Sequence, residues 1–264
     1  MEENNIIQNN SKSTIHFGIL ISSNKKYLKI NRIDYAKIDK KNHSLSSSKR
    51  EYEKMKIYKQ LNDTFFQKIS KFYFDNYLNV FEDETLATYT DKYCIEHQKD
   101  CLINYDLNMN FFDKIKYSDF EKMLSKLRNK FKKLKEIKDL SNYEKKEGLY
   151  ILILDEYKQI YIGISKDIKK RILQHWNRKK EFSKLIFGDV ETSVLSIDSF
   201  GALDTTRILV YESGKYKQLE LEEKITNYIP QEYLLNRTKG GYRGFSEEET
   251  IVNTLSTMNR RKLM

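Results

Sequence analysis

Cysteine is nearly absent: Cys94 and Cys101 are the only two in 264 residues, too few for a disulfide framework. With His97 they form Cys-x2-His-x3-Cys, one ligand short of a structural zinc set, and two reduced thiols are the expectation. A single proline and nine glycines exclude collagen-like repeats and Pro- or Gly-rich linkers. No apolar run approaches the roughly 20 residues needed to span a bilayer, so no membrane role is expected. The opening Met1-Glu2-Glu3-Asn4-Asn5 is acidic and polar, unlike a secretory leader. These absences together read as a soluble, cytoplasmic protein.

What is abundant is positive charge and tyrosine. Lys and Arg number 48 against 38 Asp and Glu, a formal charge of +10, and there are 19 tyrosines. A basic chain suits a polyanionic partner. Lys, Asn, Ile and Tyr are also the residues that an AT-rich genome favours, so position has to carry the argument. The length allows one large domain or two small ones.

The informative stretch runs from Gly148 to His175. Gly148-Leu149-Tyr150-Ile151-Leu152-Ile153-Leu154 reads as a buried strand, bounded by Glu147 and Asp155-Glu156. The short link to Gln159 makes Ile160-Tyr161-Ile162-Gly163 its hairpin partner. Ser165 and Asp167 then offer N-cap oxygens to a helix on which Ile168, Ile172 and His175 or Trp176 recur at helical spacing. Arg171 and His175 lie one turn apart on one helix face. Two phenols, a guanidinium and an imidazole are offered by one small unit.

Before this unit, residues 1–13 read as disordered. Thr14–Ile21 and Tyr27–Ile38 read as β-type runs, 42–48 as a loop, and Arg50 to about Phe81 as helical from the spacing of Met55, Tyr58, Leu61, Phe65, Ile69 and Phe72. The aromatic stripe is read as core packing. Residues 84–112 are mixed and give no assignment. Asp119–Asp139 reads as an amphipathic helix with Phe120, Leu124, Leu127, Phe131, Leu134 and Ile137 on one face and Lys122, Lys126, Lys130 and Lys133 elsewhere. A domain boundary is placed near residue 145. After His175 comes the basic cluster Arg178-Lys179-Lys180, at a helix end where cations are favoured. Thr192–Ile197 and Thr206–Tyr211 read as β-like runs, the first as an added strand or a loop and the second as a core strand, and Tyr216–Tyr228 as a helix ended by Pro230.

The ordered pair Gly148-Leu149-Tyr150 and Tyr161-Ile162-Gly163, followed by Arg171-x3-His175, a Glu-bearing helix and Asn236, resembles the GIY-YIG nuclease family over about residues 146–241. Leu149 at the middle of the first triplet is a conservative departure. The resemblance implies an α+β fold, with a central antiparallel three-stranded sheet flanked by helices in 146–243. An N-terminal mixed α/β, mostly helical accessory region (1–145) and a partly helical tail (244–264) would frame it. Of Glu220, Glu222 and Glu223, Glu222 best matches the family's register and would hold one Mg²⁺ or Mn²⁺ ion. Arg171 would face the scissile phosphate, Tyr161 would hold the network by hydrogen bonding, and Asn236 would orient Glu222 or the tyrosine pair. Gly163 would allow close backbone approach. Either Tyr150 or His175 would take the proton from water: resemblance favours the phenol, intrinsic pKa the imidazole. Arg178, Lys179, Lys180 and Arg207 are candidate nucleic-acid contacts.

The function implied is a metal-dependent endonuclease acting on DNA, of the restriction or mobile-element kind, with RNA left open. The alternative is a non-cleaving nucleic-acid-binding protein that keeps the fold. Retention of Tyr150, Tyr161, Arg171, His175, Glu222 and Asn236 argues against that alternative.

Overall fold

The computed structural model describes residues 13–21, 29–177, 179–213 and 215–237. The opening stretch read as disordered, the tail 244–264 and Arg178 lie outside them, apart from residue 13. Within the described residues the chain is a mixed α+β fold built around one antiparallel sheet. One of its two inner strands is Gly148–Leu154 (β4), whose seven residues are all buried. That is why β4 reads as an unbroken apolar run: a strand covered on both faces has no solvent side to make polar. Tyr150, Leu152 and Leu154 join one core, while Leu149, Ile151 and Ile153 join a second. Each such aliphatic side chain contributes about 1.5–3 kcal/mol on burial, so β4 anchors the domain.

Gln159–Ser165 (β5) pairs with β4 as the expected hairpin, Tyr150 standing opposite Gly163. Arg207–Glu212 (β6) flanks β4 on its other side. The sheet has four strands rather than the three expected, because Lys135–Ile137 (β3) adds antiparallel to β6 in the order β3-β6-β4-β5. The helix expected over 119–139 correspondingly runs only Tyr117–Lys130 (α5). Leu134 and Ile137 continue its spacing by coincidence, since the chain has already turned at Phe131 to enter the sheet. The beginning of the sheet thus lies before residue 146.

Helix α5 and Lys215–Tyr228 (α7) cover one face of the sheet through Phe120, Leu124, Leu127, Ile225 and Ile229. The opposite face is covered by Ile168–Asn177 (α6) through Ile168, Ile172 and Trp176, and behind it by the N-terminal elements. These are a hairpin, Thr14–His16 (β1) with Ile19–Ile21 (β2), and helices Arg32–Tyr35 (α1), Leu45–Gln60 (α2), Thr64–Asn76 (α3) and Asp91–Lys114 (α4).

Several expectations are corrected here. The strand read over 27–38 is helix α1 within its described part, started by Asn31, whose side chain accepts from the Asp34 amide. The helical stretch read over 50–81 holds two helices, α2 and α3, separated at Leu61-Asn62, with Asp63 capping the start of α3. The loop at 42–48 already contains the first turn of α2. The unassigned stretch 84–112 is mostly α4, whose buried face carries Cys94, Cys101, Asn104 and Asn108 beside Phe111 and Phe112. Both thiols are free, and burial pushes the Cys101 thiol up to about 12. Of the two readings of 192–197, added strand or loop, the loop forms. That segment is apolar because it is buried as irregular chain, tied to α4: Asn104 Nδ2 donates to the carbonyls of Val190 (2.7 Å) and Ser193 (2.8 Å), and Asn108 Nδ2 to Ser193 (3.1 Å).

Candidate active site

Tyr150 projects from β4 toward α6 and is almost fully buried, at 1 % exposure. Its ring lies across the neighbouring strand at Gly163, where an added Cβ would collide with the phenol oxygen and its ring carbon. The glycine of the second triplet therefore makes room for the tyrosine of the first, a more specific role than general backbone approach. Gly163→Ala is expected to cost about 1–3 kcal/mol by overpacking and to push the phenol away from its partner. Urea melts together with cleavage rates would check this, and a variant with parental stability and rate would show that the phenol can be seated elsewhere.

The partner is His175. The Tyr150 hydroxyl lies 2.8 Å from His175 Nε2, and His175 Nδ1 lies 2.5 Å from Asp198 Oδ1. The imidazole is 2 % exposed, and burial lowers its pKa below the ordinary 6.5 even though Asp198 pulls the other way. Burial opposes ionisation of Asp198, yet the hydrogen bond from His175 and the charges of Lys180 and Arg171 hold its carboxyl below the usual range. The Arg171 guanidinium is near enough to Tyr150 and Tyr161 for its charge to favour ionisation of both phenols. The Tyr161 ring centroid is 5.0 Å from that of His175. Burial, tempered by Arg171, pushes the Tyr161 phenol up to about 12 and raises Tyr150 well above its ordinary value of 10.

Glu222 sits on α7 at 9 % exposure, whereas Glu220 and Glu223 face solvent and Glu220 pairs with Lys224. Its charge is close enough to raise the pKa of both phenols. Among the described residues no group of three or more His, Cys, Asp and Glu is gathered to hold a metal. A buried carboxylate beside phenol oxygens is all-oxygen chemistry. It fits a hard divalent ion that keeps most of its water, not a thiolate or imidazole metal. Asn236 brackets the backbone of one residue of β5: the Ile162 N–H donates to its Oδ1 (2.9 Å), and its Nδ2 donates to the Ile162 carbonyl (2.8 Å). It thereby fixes the strand between Tyr161 and Gly163. The role expected for it, orienting Glu222 or the tyrosine pair, is replaced in these contacts by one on the backbone.

The basic candidates divide. Arg207 is held by Asp155 and Glu121, so its guanidinium is occupied by structural ion pairs rather than offered to phosphate. Lys179 and Lys180 line a cleft of about 880 Å³ between the α6 end and residues 29–43, with Asp198 on its wall. Lys130 lies over the Tyr228 ring at 4.0 Å. Two residues of the site escaped sequence reading. Asp198 is one, in a segment whose only signal was an Asp after an apolar run. Arg237 is the other: it donates to the carbonyls of Val194 (2.9 Å), Leu185 (2.6 Å) and Lys184 (3.2 Å) and so ties down the loop that leads to Asp198.

The hairpin, the Arg-x3-His helix and the buried glutamate all fall within one segment of the chain. Residues 146–228 match the sequence model of the GIY-YIG catalytic domain, so that segment is similar to the family the motifs resemble. No curated protein and no solved structure matches the chain. The matched segment contains Tyr150, Tyr161, Gly163, Arg171, His175, Asp198 and Glu222; Asn236 lies beyond it. Among the described residues no helix is long and apolar enough to cross a membrane.

Proposed function

We propose that this chain is a divalent-metal-dependent endonuclease that hydrolyses phosphodiester bonds in DNA, of the restriction or mobile-element kind. Residues 1–145 would supply target recognition or assembly, and residues 146–243 the catalysis. The observation that carries this reading is the buried Tyr150 to His175 hydrogen bond, set beside Arg171 and Glu222.

The two candidate bases are joined in series. Tyr150 oxygen accepts a proton from the attacking water as its own proton passes to His175 Nε2, so the phenol need not ionise in advance. This suits a phenol whose pKa lies far above neutrality and an imidazole whose pKa is depressed, because the neutral ring is the form able to accept. Arg171, whose charge reaches both phenols, offers a planar fork of donors to the phosphoryl oxygens as charge develops there. Asn236 holds Tyr161 and Gly163 in register by bracketing the backbone of Ile162 between them. A divalent ion at Glu222 would supply Lewis-acid stabilisation of the same phosphoryl oxygens.

The test is supercoiled and linear DNA incubated with the protein in Mg²⁺, in Mn²⁺ and in chelator, beside an RNA of the same sequence. Nicking or cutting only with metal, and of DNA in preference to RNA, is expected. Cutting confined to RNA would replace the substrate. Binding without cutting in every metal would establish the alternative, a binding protein that keeps the nuclease fold.

A further inference from the structure

The hydrogen-bond inventory at His175 has one solution. A carboxylate held ionised can only accept, so the hydrogen between Asp198 and His175 sits on Nδ1. A neutral imidazole carries one N–H, which leaves Nε2 bare. Nε2 must then accept, and the Tyr150 hydroxyl must donate. The direction of the whole relay is set from its far end, by a residue outside both triplets and outside the Arg-x3-His helix.

That residue is well anchored. Asp198 lies in a short turn, Ile197–Ser199, where the Ser196 hydroxyl accepts from the Asp198 amide. The chain leading to it is fixed by Asn104 and Asn108 of α4 on one side and by Arg237 on the other. His97 Nε2 adds a contact to the Phe182 carbonyl at 2.9 Å. The charged and titratable groups facing the pair come from several elements. Arg171 and Lys180 lie on and just beyond α6, and Arg237 on the C-terminal segment. Tyr150 and Tyr161 come from the sheet.

We propose that Asp198 is a positioning residue of this site: by accepting the Nδ1 hydrogen it holds His175 in the tautomer whose Nε2 takes the Tyr150 proton. The proposal rests on the nuclease reading above. The proton ledger balances within the chain. Water gives a proton to the Tyr150 oxygen, the Tyr150 proton moves to Nε2, and the resulting imidazolium keeps Nδ1–H on the Asp198 carboxylate. A carboxylate plays the corresponding part in Ser-His-Asp triads, where exchanging it for an amide inverts the tautomer without disturbing the fold.

The experiment is Asp198→Asn, with Asp198→Glu as the conservative partner and His175→Gln as the control. With ¹⁵N-labelled histidine, the resonances lost in His175→Gln identify His175. The parental protein should show Nδ1 protonated at pH 7.5, and Asp198→Asn should shift it toward the Nε2–H form. Single-turnover cleavage should fall at least ~10-fold with DNA binding unchanged, and Asp198→Glu should recover part of it. A parental His175 already in the Nε2–H form overturns the proposal, and that measurement needs no variant to fold. So does an Asp198→Asn protein that cuts at the parental rate while His175→Gln is inactive. Parental cutting by both variants would instead overturn the reading of His175 itself.

Discussion

Tyr150→Phe is expected to lower single-turnover DNA cleavage by ~10²-fold or more while leaving DNA binding intact. The ring still fills the space over Gly163, so packing survives, but the oxygen between water and imidazole is gone. His175→Gln should cost a similar factor, since the two act as one unit, and the double variant should be little worse than either single one. The pH profile carries further information. A phenol acting alone would make the rate climb with pH above 7. The relay instead needs neutral His175 and an un-ionised phenol, both present from neutrality upward, so the rate should be flat between pH 7 and 9. Its acid limb should lie below 6.5, because burial lowers the His175 pKa. Stability shares the sign. As pH falls below about 6.5 the unfolded chain takes up this proton before the folded one, so the folded state loses stability through that window. A rate that rises steadily from pH 7 to 9 would remove the imidazole from the path.

Glu222→Gln should abolish metal-dependent cleavage, by more than ~10²-fold, with the melting temperature held or raised. The amide keeps the volume in a buried position and removes a charge that burial disfavours. Glu220→Gln and Glu223→Gln, on the solvent side of α7, should cut normally. Cleavage across a Mn²⁺ titration distinguishes the outcomes: a loss that high Mn²⁺ restores means weakened metal binding, and a loss at every concentration means that the carboxylate does more. Full activity in Glu222→Gln with an inactive Glu223→Gln would move the metal to the other register of the helix.

How far the sequence reached depended on whether an interaction was local. Strand β4, its hairpin partner and the start of α6 are each encoded within a few residues, by apolar continuity, a short polar turn and N-cap oxygens, and all three form as read. Helix α4 escaped because its buried face is partly polar. Asn104 and Asn108 are there to hold irregular chain more than 80 residues later, and a polar residue on a core face masks the helical period. Strand β3 was masked in the opposite way, by Leu134 and Ile137 falling on the helical period of a helix that had already ended. Asp198 meets His175 only after the loop between α6 and β6 has been pinned from both ends, and no spacing in the sequence encodes that meeting. Glu222 is intermediate. Its neighbours Glu220 and Glu223 differ from it only in which way α7 turns them.

The sheet begins upstream of the matched catalytic segment, and this bears on how such a chain can be recombined. A fusion made at residue 146 would leave behind β3, baring the edge of β6. It would also leave α5, baring the face of Leu149, Ile151 and Ile153 to water, and α4, whose asparagines hold the loop that carries Asp198. In many modular proteins a targeting unit can be swapped by cutting in a linker. Here the cut would fall inside a shared core, so the N-terminal half and the matched segment form one packed block that cannot be exchanged part by part.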